Sequence, residues 1–341
     1  MLESTVPRCV VGVDLGGTNV RACAYFEDGS PAGPKFAQSS EAQSGNDAIF
    51  AAISACVRNA AEASSVPVER VGMAVPGHID DANGVVRWSP NFGEEVQGIF
   101  HHWQDVSLKA SIEQQTGLPV SMGNDANLAA LGEYRFGAGK NSANCLVLLT
   151  VGTGIGGGVV MKASSVQGDA RGPLLLLGGN KGGGELGHIV VQHGGATCNA
   201  GSYGAIEGYC QRDAIVERAV NRLRRGRNSL MNDMVSGDLS LVTPKLISDA
   251  ADAGDELAIE VWSEVGTYLG VGVGSCINIF APDVVAIGGQ IAYAGEWLIG
   301  PARRAAENCA IPSLFSDARI VQAECIDDAG MLGGAALALQ A

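Results

Sequence analysis

Two segments of the chain share one layout, in which an apolar strand, a glycine-rich loop and a second apolar strand follow one another. The first segment covers residues 9–26 and the second covers residues 145–161. Glycine lets the backbone approach a bound anion closely, because it has no side chain. Glycine makes up 48 of the 341 residues, about twice the usual ~7%. This weak internal repeat predicts a duplicated fold with the ligand between its halves.

Strand and helix patterns alternate along the rest of the chain. Apolar residues recur at helical spacing over 47–63 and 255–280, and shorter helices are expected over 107–116 and 328–339. A strand at 284–287 runs into a further glycine pair. Alternation of this kind indicates an α/β fold, and the length suggests about two domains.

The charge and the cysteine content restrict the partners and the compartment. A net charge of −14 disfavours a sequence-independent grip on nucleic acid, which requires an excess of Lys and Arg. No apolar run is long and uninterrupted enough for a transmembrane helix, and the N-terminal residues lack the apolar region of a signal peptide. The nine cysteines contain no C-x-x-C pair and are typical of reduced cytosolic thiols. We therefore expect a cytoplasmic protein without nucleic-acid or membrane partners.

The glycine loops do not fit two common phosphate-binding motifs. Gly152-x-Gly154-x-x-Gly157 has the spacing of the dinucleotide fingerprint, but that fingerprint opens a helix, whereas residues 159–161 continue as a strand. A Walker A loop needs a lysine followed by Ser or Thr, which neither loop contains. The remaining interpretation is a pair of strand–turn–strand loops that hold phosphates from two sides.

Polar side chains accompany both loops. Thr18 and Thr153 offer hydroxyl groups, and Asp14 lies at the end of the first strand. A carboxylate among phosphates is repulsive unless a cation lies between them. Asp14 is therefore a candidate for holding Mg²⁺, directly or through water. The alternative is an aspartate that only caps the loop.

Together, these motifs resemble those of the sugar kinase/actin-like ATPase superfamily. Residues 13–19 resemble its first phosphate motif, residues 152–156 its second, and residues 287–289 its adenosine motif. Within the superfamily the chain most resembles the ROK family (repressor, open reading frame, kinase), especially its bacterial glucokinases. Further segments carry that resemblance: 75–77 through 89–91, 123–127, and 184–188 through Glu207.

The resemblance implies an architecture and a nucleotide site. The expected architecture is a two-domain actin-like ATPase (ribonuclease H-like) α/β fold with an interdomain cleft. We place a small N-terminal α/β domain at 1–122 plus 325–341 and a large α/β domain at 123–324. The implied cofactors are ATP and Mg²⁺, and a homodimer and closure on sugar binding are expected by the same analogy. The implied nucleotide ligands are Asp14, Gly16, Gly17, Thr18, Asn19, Gly152, Thr153, Gly154, Gly288 and Gly289.

The candidate catalytic group is Asp125, which follows a short strand at 120–122. A sugar hydroxyl is a poor nucleophile at neutral pH, and a carboxylate within hydrogen-bond reach orients it and accepts its proton. From the residues alone, Asn124 or Asp125 is equally consistent with a cap of the helix over 128–136. The resemblance implies that Asp125 is the catalytic base and that Asn124 contacts the sugar.

Recognition of a hexose requires several charged or amide groups, because the sugar is neutral and carries many hydroxyls. Glu185 and His188 lie three residues apart and are able to share one face of a turn. The alternative is a solvated pair in a loop. The resemblance implies that both contact the sugar, together with Gly77, Asn91 and Glu207.

The chain departs from the family at a structural zinc site. The family spacing is H-x9-C-x-C-x4-C, which His188 and Cys198 match, but Ala200 and Ala205 occupy the other two positions. Tetrahedral zinc needs four ligands. We therefore expect no zinc in this protein.

A second departure is the segment 162–181, which looks longer than the usual turn of the family. It contains four consecutive leucines at 174–177. Because an exposed apolar patch of this kind is unusual, we expect these leucines in the core or in a subunit contact.

The sequence thus predicts an ATP-dependent hexose kinase, a glucokinase that phosphorylates the 6-hydroxyl of glucose by in-line transfer. One alternative is a ROK kinase for fructose, mannose or an N-acetylhexosamine. Another is polyphosphate as the donor, although the Gly288-Gly289 motif favours a nucleoside. An alternative of a different class is a sugar-responsive transcriptional regulator. Regulators of the family carry an N-terminal helix-turn-helix, and only eight residues precede the first strand here.

Overall fold

A computed structural model describes residues 7–140, 143–167 and 172–341. Contacts within the chain divide it into two units. The first unit comprises the described residues of Met1–Asn141, Leu175–Gly184 and Asp328–Ala341, and the second comprises those of Ser142–Leu174 and Glu185–Asp327. The boundaries at 1–122 plus 325–341 and at 123–324 stay a prediction. In the present division, residues 123–140 group with the first unit.

The first unit is built on a five-stranded sheet. With strands numbered in chain order, its members are β1 (Cys9–Leu15), β2 (Asn19–Phe26), β3 (Phe36–Ser39), β4 (Arg70–Val75) and β8 (Val120–Asn124). Their order is β3-β2-β1-β4-β8. Strand β1 pairs antiparallel with β2 and parallel with β4, and β4 pairs parallel with β8. Helices cover the faces of this sheet. Strands β1 and β4 are therefore apolar at nearly every position and do not alternate between apolar and polar residues.

Four helices belong to the first unit: α1 (Asn46–Glu62), α2 (Leu108–Thr116), α3 (Asp125–Phe136) and α11 (Ala329–Ala338). Helix α11 lies almost in backbone contact with the sheet. A Cβ atom on Gly72 would lie 1.8 Å from the carbonyl oxygen of Gly334, and one on Gly12 would lie 2.0 Å from that of Met331. The small residues of α11 and the strand glycines therefore make this close approach possible.

A second, antiparallel sheet of the first unit was not predicted. Its strands are β5 (His78–Asp80), β6 (Val85–Val96) and β7 (Ile99–Val106), in the order β5-β6-β7. The register of β6 against β7 shifts between Ser89 and Gly93. This bulge contains Pro90, a residue that argues against a regular strand in sequence.

The second unit repeats the pairing scheme of the first. Its sheet contains β9 (Cys145–Val151), β10 (Ile155–Lys162), β11 (Pro173–Leu175), β12 (Val284–Gly288) and β13 (Arg319–Gln322), in the order β11-β10-β9-β12-β13. Strand β9 pairs antiparallel with β10 and parallel with β12, and β12 pairs parallel with β13. The two strand–loop–strand segments of the sequence thus form equivalent hairpins in two sheets of the same order.

The helices of the second unit include one of 25 residues, α8 (Glu256–Phe280). Its packing explains its glycines, because a Cβ atom on Gly270 would lie 2.2 Å from the carbonyl oxygen of Ala302 in the next long helix. The other helices are α4 (Glu207–Cys210), α5 (Arg212–Arg224), α6 (Leu230–Met234), α7 (Pro244–Asp252), α9 (Glu296–Cys309) and α10 (Pro312–Phe315). Short 3₁₀ helices cover Ala163–Ser165, Leu186–His188, Leu239–Leu241 and Gln290–Ala294.

The expectation that the four leucines at 174–177 lie in the core is wrong. None of them is buried, and Leu176 is 38% exposed. Two of them belong to β11, an edge strand with a neighbour on one side only. A subunit contact at these leucines stays a prediction. Residues 168–171 of the same segment and the first six residues of the chain lie outside the described part.

The hydrophobicity of the helices also bears on the membrane prediction. Within the described ranges, no helix combines the length and the apolar character needed to cross a bilayer.

All nine cysteines are free thiols, and seven of them are buried.

Candidate functional site

The predicted site residues of the first unit collect at one edge of its large sheet. The parallel strands β1, β4 and β8 all end there, with Asp14 pairing with Ala74 and Val75 with Asn124. Asp125 follows directly as the first residue of α3. Ligands of α/β sheets bind outside the carboxyl ends of the strands. The two carboxylates that the sequence singles out therefore belong to the edge where a ligand is expected.

Asn124 has a structural role that the sequence analysis left open. Its Oδ1 accepts a hydrogen bond from the backbone N–H of Asn127 at 3.0 Å, which caps α3. Its Nδ2 donates to the carbonyl oxygen of Gly77 at 3.0 Å. The capping alternative is thus confirmed for Asn124, and its contact with a sugar stays a prediction.

Asp125 begins helix α3 and is partly exposed. Its Oδ1 accepts a hydrogen bond from the backbone N–H of Ala126 at 2.9 Å. The start of α3 therefore places a hydrogen-bond acceptor at the edge of the sheet.

The backbone at position 77 requires a glycine. Its φ angle is 113°, and a Cβ atom there would lie 2.2 Å from the carbonyl oxygen of Trp88. Asn91 is exposed within the bulge of β6. A Cβ atom on Gly17 would lie 3.5 Å from the Cβ of Asn91. The structure thus brings a predicted sugar ligand next to the first phosphate loop.

The first phosphate loop is a tight turn between β1 and β2. The N–H of Gly16 donates to the carbonyl oxygen of Asn19 at 2.9 Å. Residues 17–19 are exposed, whereas the side chain of Asp14 is only 18% exposed. Asp14 forms an ion pair with Arg21, its cross-strand neighbour in the hairpin. Sequence reasoning missed Arg21, although hairpin register alone was enough to pair the two residues.

The two glycine motifs of the second unit lie together. Strands β9 and β12 are parallel neighbours, and Gly288 pairs with Thr150. A Cβ atom on Gly289 would lie 2.3 Å from the carbonyl oxygen of Val151. In the turn after β9, the N–H of Gly152 donates to the carbonyl oxygen of Gly154 at 2.9 Å, and Thr153 is exposed. The predicted second phosphate motif and the adenosine motif therefore share one sheet edge.

A cavity of about 550 Å³ lies beside the adenosine motif. Its volume falls within the usual range of small-molecule sites. Its lining includes the indole of Trp262, which is fully buried and whose Nε1–H has no hydrogen-bond partner among the described residues. Sequence reasoning missed this cavity because distant segments form it. The other lining residues are Arg212, Thr243, Pro244, Lys245, Ser248, Asp249, Asp252, Gln290, Ile291, Tyr293 and Ala294.

The predicted sugar ligands of the second unit differ in exposure. The side chains of Glu185 and His188 are 62% and 30% exposed, and His188 Nε2 lies 3.9 Å from Glu185 Oε2. Glu207 is 6% exposed. Its Oε2 accepts from the N–H of Ile155 at 3.0 Å, and its Oε1 accepts from the N–H of Asn199 at 3.2 Å. Glu207 is therefore joined to the second phosphate loop, a link that the sequence did not indicate.

The loop that would carry the zinc ligands is closed by hydrogen bonds. Cys198 Sγ lies 3.6 Å from His188 Nδ1 and 3.0 Å from Ser202 Oγ. Burial raises the pKa of the Cys198 thiol, but hydrogen bonds from Ser202, from the backbone and from His188 outweigh it and lower the pKa below its ordinary value. The backbone N–H of Ala196 donates to the hydroxyl of Tyr209 at 2.7 Å.

One group of metal-ligating side chains occurs in the described part of the chain. It consists of His188, Cys198 and Glu207, whose ligand atoms lie within 4.8 Å of one another. Each of these side chains also has a hydrogen-bond partner within the protein. The expectation of no zinc stays a prediction.

Comparison of the sequence with models of protein families tests the resemblance that the motifs suggest. The model of the ROK family matches residues 10–341. The chain belongs to the ROK family. The predicted resemblance is therefore confirmed over almost the whole length.

Individual relatives of this ROK-family chain are similar over nearly all of their length. A glucokinase of Thermotoga maritima is 34% identical over 328 residues, which are 96% of each chain. A glucokinase of Halalkalibacterium halodurans is 32% identical over 337 residues, 98% of this chain and 96% of the relative. A ROK family glucokinase from Streptomyces griseus, solved in complex with glucose and AMPPNP, is 32% identical. That structure has a TM-score of 0.80, with 98% of this chain and 100% of that chain covered.

These comparisons also settle the fold class. The solved ROK sugar kinases have the actin-like ATPase fold, and this chain matches them over nearly its full length. The predicted α/β fold of that class is confirmed.

Proposed function

We propose that this chain is an ATP-dependent glucokinase. The observation that carries the proposal is the similarity to glucokinases at 32–34% identity across 96–98% of the chain. A similar glucokinase binds glucose together with AMPPNP, which supports a hexose as acceptor and ATP as donor.

Asp125 is the general base of the proposed reaction. Phosphoryl transfer demands positioning and charge neutralisation more than covalent help from the protein. A carboxylate that orients the 6-hydroxyl of glucose and accepts its proton typically contributes ~10²–10⁴ in rate. The position of Asp125 at the carboxyl edge of the sheet, in the first turn of α3, supports this role.

The two glycine turns bind the phosphates in this proposal. The N–H groups of Gly16 and Gly152 already donate within their own turns. The other backbone N–H groups of residues 16–19 and 152–154 and the exposed hydroxyls of Thr18 and Thr153 would therefore hold the phosphates. Gly288, Gly289 and the cavity beside them accept the nucleoside. The net charge of −14 makes these backbone donors important, because few cationic side chains are available to hold an anion.

Mg²⁺ is the metal that the nucleotide requires in this proposal. The donor at the expected place fits, because Asp14 supplies carboxylate oxygens, the ligand type that Mg²⁺ prefers. A Mg²⁺ ion held by Asp14 would share this carboxylate with Arg21, its ion-pair partner. When bound, Mg²⁺ neutralises the charge of the transferred phosphoryl group.

The sugar ligands in the proposal are Gly77, Asn91, Asn124, Glu185, His188 and Glu207. Hydrogen bonds to charged groups are worth roughly 1.5–3 kcal/mol each, so a hexose with a missing or inverted hydroxyl loses part of this binding energy and is discriminated against. We propose glucose as the preferred sugar. Fructose, mannose and N-acetylhexosamines are the alternatives within the same chemistry.

Further properties of the enzyme follow by analogy with the family. We place it in the cytoplasm as a homodimer with no nucleic-acid partner. The nine free thiols support a reducing compartment, and the acidic charge supports the absence of nucleic acid.

The test is a panel of hexoses and donors. Purified protein is assayed with ATP or polyphosphate against glucose, fructose, mannose and N-acetylglucosamine, and kcat/KM is measured for each pair. We expect the highest kcat/KM for glucose with ATP. A higher kcat/KM for another hexose would make that hexose the preferred substrate. Activity with polyphosphate but not with ATP would overturn the proposal that ATP is the donor.

A further inference from the structure

Glu207 holds the end of the second phosphate turn in place. It is the first residue of α4, and its carboxylate is almost fully buried. Oε2 accepts from the N–H of Ile155, the first residue of β10, and Oε1 accepts from the N–H of Asn199. One side chain therefore joins the phosphate turn to the loop that follows His188.

The turn is also held at its other end by the same segment. The N–H of Arg212, which begins α5, donates to the carbonyl oxygen of Gly152 at 2.8 Å. The short segment from Glu207 to Arg212 thus contacts both the first residue of the turn and the strand residue that follows it. A turn fixed at both ends keeps its backbone donors in one geometry.

Two glycines allow these contacts. A Cβ atom on Gly154 would lie 2.8 Å from Glu207 Oε2, and one on Gly187 would lie 2.1 Å from the carbonyl oxygen of Ile155. Gly187 immediately precedes the predicted sugar ligand His188. The turn is therefore packed directly against the segment that carries the predicted sugar ligands.

The chemistry of the carboxylate favours a positioning role. Both oxygens of Glu207 accept from backbone N–H donors, so the carboxylate is held as a structural group beside the turn. The N–H of Ile155 donates to Glu207 and is therefore not available to a phosphate oxygen. Glu207 thereby preorganises the turn. Backbone N–H donors that are already in position need no rearrangement when negative charge develops on the transferred phosphoryl group.

We propose that Glu207 is a positioning residue for the phosphate turn, so that it sets nucleotide affinity even when no hexose is bound. This inference rests on the proposed ATP-dependent activity and adds a second role to a predicted sugar ligand. By linkage, any hexose contact that shifts Glu207 also changes nucleotide binding, and the reverse holds equally.

The test compares Glu207→Gln with Glu185→Gln. Glutamine has one acceptor oxygen, so it is unable to accept in the same way from both backbone N–H groups. We expect Glu207→Gln to weaken binding of AMPPNP with Mg²⁺, measured by calorimetry without hexose, about tenfold, which corresponds to about 1.4 kcal/mol. Glu185→Gln removes an exposed carboxylate without a contact to the turn, and we expect it to raise the KM for glucose and to leave AMPPNP affinity unchanged. Unaltered AMPPNP affinity of Glu207→Gln overturns the proposal.

A second measurement does not depend on catalysis. Hydrogen exchange of the amides of residues 152–156 reports directly whether the turn is held. We expect faster exchange there in Glu207→Gln than in the unmodified protein, and no change in Glu185→Gln. Equal exchange in all three proteins contradicts the positioning role. If instead the unmodified protein fails to phosphorylate glucose but the exchange difference appears, the proposed function fails and the positioning role stands.

A second variant covers the case in which Glu207→Gln does not fold. Gly154→Ala leaves the carboxylate intact but places a methyl group against Glu207 Oε2. We expect weaker AMPPNP binding and faster exchange at Ile155 in this variant also. If Glu207→Gln does fold, the two effects should not multiply in the double variant, because both act through one contact. Fully multiplicative effects contradict a shared contact.

Discussion

At the scale of single residues, the candidate site depends on positions where few other residues fit. Gly77 has a left-handed backbone, and its carbonyl oxygen accepts from Asn124. Glu207 is a buried carboxylate with backbone donors on both oxygens. Asp14 is paired with Arg21. These contacts position the proposed ligands before any substrate binds.

Gly77→Ala should destabilise the protein and impair the sugar site. A methyl group there would lie 2.2 Å from the Trp88 carbonyl oxygen, and the φ angle of 113° adds backbone strain. We expect a loss of about 1–3 kcal/mol in the free energy of unfolding and a lower kcat/KM for glucose.

The matched control for that variant is Gly98→Ala. Gly98 lies in the β6–β7 turn of the same small sheet and also has a positive φ angle. A Cβ atom there would meet no described atom within 4 Å apart from its chain neighbours. Denaturant unfolding of both variants should show a smaller loss for Gly98→Ala and an unchanged kcat/KM. Equal effects of the two substitutions would mean that the contact with Trp88 is unimportant.

Metal analysis tests the altered zinc motif. Ala200 and Ala205 replace two of the four expected ligands, and hydrogen bonds close the loop around Cys198. We expect protein purified without chelator to contain zinc well below stoichiometry and to keep its activity after treatment with a chelator and return to Mg²⁺. Stoichiometric zinc that the chelator removes together with activity would refute the expectation and would assign His188, Cys198 and Glu207 as ligands.

At the scale of elements, close backbone contacts between helices and strands determine where the glycines occur. Helix α8 carries glycines that lower its helix propensity by roughly 1 kcal/mol each. Gly266, Gly270 and Gly274 face α9 at short distance, and Gly272 packs against Ile206. Helix α11 approaches β1 and β4 in the same way. The glycine content that first drew attention to ligand loops therefore has two causes, ligand turns and tight packing.

Gly270→Ala tests this packing. Alanine favours a helix over glycine by roughly 1 kcal/mol, but its methyl group would lie 2.2 Å from the carbonyl oxygen of Ala302. Overpacking costs about 1–3 kcal/mol, so we expect a net decrease in the free energy of unfolding. Thr267→Ala, at an exposed position of the same helix, should change stability by less than about 0.5 kcal/mol. A stabilised Gly270→Ala protein would show that α8 and α9 are not in close contact.

Periodicity and glycine position were sufficient to predict the hairpins, the long helix and the C-terminal helix. They were not sufficient for the small sheet of β5, β6 and β7, because β5 has three residues and β6 contains a bulge with Pro90. The site residues were identified through motifs. Contacts between distant segments, such as Glu207 with Ile155, leave no local pattern in the sequence. The cavity lined by Trp262 was missed for the same reason.

At the scale of the whole molecule, the chain contains two units with equivalent five-stranded sheets. Each unit carries a glycine turn after an apolar strand, and the first unit also carries Asp14 and Asp125. The duplication therefore supplies the two turns that we propose bind the phosphates, while the carboxylates at the first sheet edge supply the proposed base and the proposed metal ligand.

ATP turnover should depend strongly on hexose. In a kinase of this kind, exclusion of water from the phosphoryl group prevents wasteful hydrolysis. We expect ADP release by the purified protein to be much slower without sugar than with saturating glucose. Equal rates in the two conditions would contradict a hexose-dependent transfer.

In the proposed reaction, Asp125 accepts the proton of the sugar hydroxyl. Its most direct test is kcat for glucose 6-phosphate formation by Asp125→Asn, with Asp47→Asn as control, since Asp47 also lies in the first turn of a helix and is exposed. We predict a loss of about 10²–10⁴ in kcat for Asp125→Asn, little change in the KM for ATP, and near-normal activity for the control. A kcat of Asp125→Asn close to that of the unmodified enzyme would rule out Asp125 as the general base.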